Sequence, residues 1–245
     1  MTNARVVCAA VGLSVVGFAH ADPIEATFES LVHGEIITSQ FADVGMSIQA
    51  LNFQLPGAMP IAFDTQFINT ADPDLQGPPW AGGNLAPNTI LGNVIIVPEN
   101  MIDADNDGIV DDPDDEGARP AGELSFAFDE MMTGFGFDVL DIEGVTQEST
   151  VLEFFRYGDS MASISFDEFI DPLSAYYDST IEFGNNTANR VQPITADMLG
   201  IDGFTSVLIH LGGSSAFDNI VTIPAPGSAA ILALGGIAGC RRRRS

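Results

Sequence analysis

Leu124-Ser125-Phe126-Ala127-Phe128 and Phe135-Gly136-Phe137-Asp138-Val139 place a large apolar side chain at every second position. In an extended chain successive side chains point to opposite faces, so each stretch offers one apolar face to a core. A helix would scatter the same residues around its axis. Working outward, short alternating runs bounded by Gly, Pro, Asn and Asp recur along the chain, and they predict strands at 25–28, 36–40, 46–52, 60–63, 93–97, 123–128, 134–141, 150–157, 161–166, 180–183, 191–194, 204–211 and 217–222. The best helical spacing, 195–199 with Thr195 as N-cap, is about one turn. The fold expected is an all-β sandwich of short strands. Most of the 17 phenylalanines then belong to its core. Gly158-Asp159-Ser160 reads as a hairpin turn. The long connection over 64–93 carries the single tryptophan, Trp80, and long loops without secondary structure are often functional.

The chain has 245 residues, 34 acidic side chains against 8 basic ones, and no lysine. One domain is the expectation for an all-β chain of this length. Every acidic group lies between Asp22 and Asp218, whereas Arg5 and Arg241 to Arg244 lie near the ends. The middle therefore sets 34 acidic groups against Arg119, Arg156 and Arg190, a formal charge of −31. Such a surface excludes nucleic acid, whose phosphates need clustered Lys or Arg, and favours cations. Residues 1–21 carry Arg5, an apolar run from Val6 to Phe18, and Ala19-His20-Ala21, the order of a secretory signal peptide cleaved after Ala21. Both cysteines, Cys8 and Cys240, fall in the end segments, so no thiol chemistry is expected of the domain over 22–222.

The other end, 223–245, has Ile223-Pro224-Ala225-Pro226, an apolar stretch over 228–240 and four arginines. It resembles the PEP-CTERM sorting signals of exported bacterial proteins, with Ile-Pro-Ala-Pro standing where that family usually has Val-Pro-Glu-Pro. The resemblance implies export to the cell envelope or outer surface, a C-terminal hydrophobic helix that engages the membrane, and a sorting protease acting on the tail. It implies no activity. The apolar stretch is shorter than the ~20 residues a spanning helix needs.

The run from Asp103 to Glu116 packs eight carboxylates into 14 residues. Asp103, Asp105 and Asp107 alternate, Gly108 permits a sharp turn, and Asp111 and Asp114 can close a shell around one centre. Hard oxygen ligands at this spacing suit Ca²⁺, which takes six to eight of them. The spacing resembles the calcium repeat of thrombospondin type 3 and, more loosely, an EF-hand loop, from which it departs by Asp114 in place of the closing Glu and by Pro113. The resemblance implies Asp103, Asp105, Asp107, Asp111, Asp114 and the carbonyl of Ile109 as ligands. A shorter acidic cluster, Asp72-Pro73-Asp74, lies in the long connection.

The stretches 124–129, 137–143 and 212–220 resemble jelly-roll carbohydrate-binding modules of the galactose-binding-like kind, in which acidic residues of the first and last strands often hold a structural Ca²⁺. Here that role would fall to Glu29 and Asp218. Trp80, Tyr157, Tyr176 and Tyr177 are the candidates for stacking on a sugar. His33 and His210 are isolated in sequence, and no phosphate-binding loop, nucleophile elbow or metal-binding histidine pair is present. No catalytic residue is assigned. Three readings compete: a non-enzymatic calcium-binding protein of the cell surface or exopolysaccharide matrix, a carbohydrate-binding module, and a glycoside hydrolase with paired carboxylates. Polysaccharide or matrix components are the partners the first two imply.

Overall fold

A computed structural model describes residues 22–226. Residues 1–21, read as a signal peptide, and residues 227–245, where a hydrophobic helix is expected, lie outside the described residues. Asp22–Ala225 forms one unit with its own core. Its ten strands are β1 (Ile24–Ala26), β2 (Met46–Asn52), β3 (Ile61–Asp64), β4 (Asn93–Ile96), β5 (Gly122–Leu140), β6 (Val151–Arg156), β7 (Asp159–Ser165), β8 (Ala188–Thr195), β9 (Phe204–Leu211) and β10 (Ala216–Pro224). The only α-helices among the described residues are single turns, α1 (Val145–Glu148) and α2 (Ala196–Leu199). None is long and apolar enough to cross a membrane.

The stretches around Phe126 and Phe137 are halves of one 19-residue strand, β5, and all its neighbours are antiparallel. Its first half pairs with β2 and β9, and β9 continues to β6 and β7. Its second half pairs with β10 and β8; the far edge of β10 carries β4 and β1, and β4 carries β3. Between the halves the register to β9 slips after Ala127, where Asp129 and Glu130 stand exposed. Such an irregularity lets one strand turn from one layer into another. The two wings close on one buried cluster, to which Phe126, Phe154, Val207 and Ile209 come from the first and Phe135, Phe137, Val191 and Phe217 from the second. Phe137 meets Phe166 at 6.0 Å and Phe217 at 5.6 Å. This is the two-layer antiparallel β-sandwich the alternation predicts. Full burial of each phenylalanine is worth roughly 1.5–3 kcal/mol.

Two predicted strands are absent and one turn is displaced. Over 36–40, Ile36 bridges Ile61 and the Ile37 amide reaches the Pro60 carbonyl, but beyond them the Gln40 carboxamide accepts the Thr38 and Ser39 amides and donates to the Ile36 carbonyl, closing a local turn that ends the pairing. Over 180–183, Asp178 takes both the amide and the hydroxyl of Thr180. The β6–β7 hairpin turns at Tyr157 and Gly158, both at positive φ, one residue earlier than read. The Thr195 cap is as expected: its hydroxyl accepts the Met198 amide.

The outer face of the second wing is covered as well. Ile61, Phe63, Ile96, Leu140, Ala188 and Ala216 form a second buried cluster, and the 64–93 connection lays Leu75, Trp80 and Leu91 over it. The loop is tied down by its backbone, with the Leu85 amide on the Ala188 carbonyl and the Ala81 amide on the Asn186 carbonyl. A methyl group on Gly77 would lie 2.4 Å from the Trp80 ring, so this close approach requires glycine.

Candidate functional site

Asp103, Asp105 and Asp111 converge, each with one carboxylate oxygen within 4.8 Å of the others. Local turns bring them together. Asp103 accepts the amides of Asp107 and Gly108, Asp105 also accepts Asp107, and Asp111 accepts Ala104. Asn106 and Gly108 sit at positive φ, curling the loop tightly. Within 4.8 Å each carboxylate pair repels by at least roughly 1 kcal/mol in bulk water and at least about 3–4 kcal/mol at the effective dielectric of a protein surface. A divalent cation at the centre reverses the sign of that interaction.

The rest of the expected shell divides. Asp107 accepts the Ile109 amide and lies outside the converging trio, and Ile109 forms an antiparallel bridge with Glu35. Asp114 is a correction. The Glu99 amide donates to the Asp114 carbonyl and the Glu116 amide to the Val97 carbonyl, drawing 114–116 alongside the end of β4. Asp114 there falls beside Asp72 and Asp115 and not with the trio. Linear spacing could not disclose this, because the loop closes at Asp111, whose amide bonds the Ile102 carbonyl, and the returning chain carries Asp114 away alongside 97–102.

Glu29 and Asp218 are close enough to feel each other. Burial pushes the Asp218 carboxyl up to about 8, with the charges of Asp138 and Glu29 adding to the shift. Asp218 is buried, and its Oδ1 has no hydrogen-bond partner. The Glu29 carboxylate lies over Gly92, and the buried Oδ1 of neighbouring Asn93 is also unpartnered. A third carboxylate does not join them, as Asp138 is held by two 2.7 Å bonds from Arg190.

The four aromatics do not make one surface. Trp80 is 4% exposed and donates its indole N–H to the Thr89 carbonyl at 2.8 Å, so it offers no ring face to a sugar. Its polar surroundings in sequence suggested exposure, but the loop folds inward over an apolar sheet face. Tyr157 stands 81% exposed on the β6–β7 turn. Tyr176 and Tyr177 line a groove of about 210 Å³ with Phe169, Pro193 and Met198.

A cavity of about 320 Å³ contains Arg119, Glu148 and His210. Burial raises the Glu148 carboxyl to about 7, against the pull of Arg119, and its Oε2 is unpartnered. Nothing in sequence marked Glu148, since its burial comes from strands distant in the chain. Among the described residues lining this cavity, Glu148 is the acidic one. The fold favours the protonated form of Glu148. Its contribution is therefore fully present below about pH 4.5 and lost as pH rises through about 7. We expect Glu148→Gln to be more stable than the parent by about 2 kcal/mol at pH 8 and no more stable at pH 4.5. Urea denaturation at the two pH values checks this.

No protein-family model matches the chain, and no curated protein matches it in sequence. Among solved structures it is similar to the K2 cleaved adhesin domain of Lys-gingipain, at 11% identity and a TM-score of 0.36, over 82% of this chain and 99% of that one. The K1 cleaved adhesin domain of Lys-gingipain from Porphyromonas gingivalis gives 11% identity and 0.37, over 84% and 99%. The Clostridium thermocellum endo-1,4-β-D-xylanase 10B, as its CBM22-1 and GH10 modules complexed with xylohexaose, gives 8% and 0.34, over 84% of this chain and 29% of that one.

Proposed function

We propose that the protein is an exported, non-enzymatic, calcium-stabilised β-sandwich of the jelly-roll, galactose-binding-like kind, acting at the cell surface or in the exopolysaccharide matrix. The observation that carries this reading is the convergence of Asp103, Asp105 and Asp111 in a chain without lysine. The three described arginines are engaged elsewhere: Arg119 with Glu143 and Glu148, Arg156 with Asp202, and Arg190 with Asp138. Among the described residues no arginine is left to neutralise the loop, so a metal ion is the fitting counter-charge. Asp107 and the Ile109 carbonyl are close enough in sequence to complete the shell directly or through water. Glu29 and Asp218 make a further candidate pair. Export rests on the 1–21 segment and on the tail, which would engage the membrane and its sorting protease.

Calorimetric titration with Ca²⁺, beside a variant carrying Asp103→Ala, Asp105→Ala and Asp111→Ala, tests the reading. The parent is expected to bind at least one Ca²⁺ more than the variant and to give correspondingly more heat; equal heats from both would sink it. The carbohydrate-binding alternative is favoured by the groove of Tyr176 and Tyr177, the latter 41% exposed. Tyr177→Ala, in place of any change at Trp80, is its test on a glycan array.

A further inference from the structure

We propose that Asp72, Asp114 and Asp115 form a separate divalent-cation site of calcium type, which clamps the long 64–93 connection to the end of β4. One carboxylate oxygen of each lies within 4.8 Å of the others, although Asp72 is far from the pair in sequence. Oxygens bound to one Ca²⁺ at ~2.4 Å lie no more than about 4.8 Å apart, so carboxylates gathered this closely can share a single ion.

An independent observation points to a missing ligand. Asp72 is 5% exposed; its Oδ1 accepts the amides of Asp74 and Leu75, but its Oδ2 has no hydrogen-bond partner. The Asp115 amide helps hold the Asp72 carboxylate from outside hydrogen-bonding geometry. Asp115 is buried too, with the Ser215 amide at 2.5 Å from Oδ2 and the Ser214 hydroxyl at 3.0 Å from Oδ1 and 2.8 Å from Oδ2. The same hydroxyl lies 3.0 Å from Asp141 Oδ2. A hydroxyl has one proton, so it cannot satisfy three carboxylate oxygens. Buried charges without partners cost several kcal/mol each.

Basic side chains do not supply the balance. The described arginines are paired elsewhere, His210 lies between Glu123 and Glu153, and burial lowers the His33 pKa, leaving its imidazole neutral at pH 7. Asp114 and Asp115 are fixed by the Glu99 amide and by the bridge of Asp115 with Pro98, while Asp72 belongs to the loop that seats Leu75 and Trp80. A cation among them would join the loop to the sheet.

Trp80, the only tryptophan, supplies the readout. Ca²⁺ alone is titrated into the protein and into Asp72→Asn, Asp114→Asn and Asp105→Asn, recording bound ions per chain and Trp80 fluorescence. Asn at 72 keeps an oxygen for the Asp74 and Leu75 amides, and Asp114 is only half-buried, so at least one of these two variants should fold. Each is expected to weaken one ion by about tenfold or more and to lose the calcium-dependent change in Trp80 emission. Asp105→Asn should lose a different ion and keep that change. Asp72→Asn and Asp114→Asn binding as many ions as the parent with unaltered affinity would overturn the proposal, as would a Trp80 response abolished by Asp105→Asn alone. Failure of the 103–111 loop reading shows separately, as an Asp105→Asn variant with the parent's ion count.

Discussion

Trp80→Ala is expected to cost about 3–5 kcal/mol of folding stability, the usual price of emptying a large aromatic site in a packed core. Trp80 packs with Ile61, Phe63, Leu75, Val94 and Leu140 in the second buried cluster. Its removal strands the Thr89 carbonyl that now accepts the indole N–H. Against a typical total of 5–15 kcal/mol the loss is large, and it falls on stability instead of on any sugar affinity. Urea denaturation followed by far-ultraviolet circular dichroism measures it; a loss under about 1 kcal/mol would place Trp80 outside the core.

Calcium is expected to have an effect of similar size. An ion present at ~1,000 times its dissociation constant stabilises the folded state by about 4 kcal/mol per site. For a domain of this size that is roughly 8–16 °C in Tm for each site. Scanning calorimetry in EDTA and in excess Ca²⁺ should show the shift, with Mg²⁺ giving much less because it holds its water and demands tighter geometry. The variant carrying Asp103→Ala, Asp105→Ala and Asp111→Ala should show a smaller shift, retaining any part due to Asp72, Asp114 and Asp115.

The layers were legible because burial leaves a period of two in sequence. Leu124, Phe126 and Phe128 are buried, and so are Phe135, Phe137 and Val139. That both belong to one strand was not legible, since the join depends on pairing with β9 and β10 from far along the chain. The false strand over 36–40 had acceptable alternation, but a single side chain, Gln40, captured the local backbone. Charge behaved likewise. The carboxylates of Asp103, Asp105 and Asp111 meet because neighbouring amides fold the loop onto itself, which spacing does disclose. Asp72 meets Asp115 only through the tertiary path of the long connection. The same path buries Trp80, whose Gly- and Pro-rich neighbourhood looked like an exposed loop. The overall acidity thus resolves into a solvated surface and a few points where carboxylates are pressed together without cationic partners.

The most direct test of a calcium-stabilised sandwich is a crystal structure of the protein grown with calcium, with anomalous scattering used to locate the ions. Peaks coordinated by oxygens at ~2.3–2.6 Å are expected among Asp103, Asp105 and Asp111 and among Asp72, Asp114 and Asp115. A map without a peak at either cluster, from crystals saturated with Ca²⁺, would contradict the account.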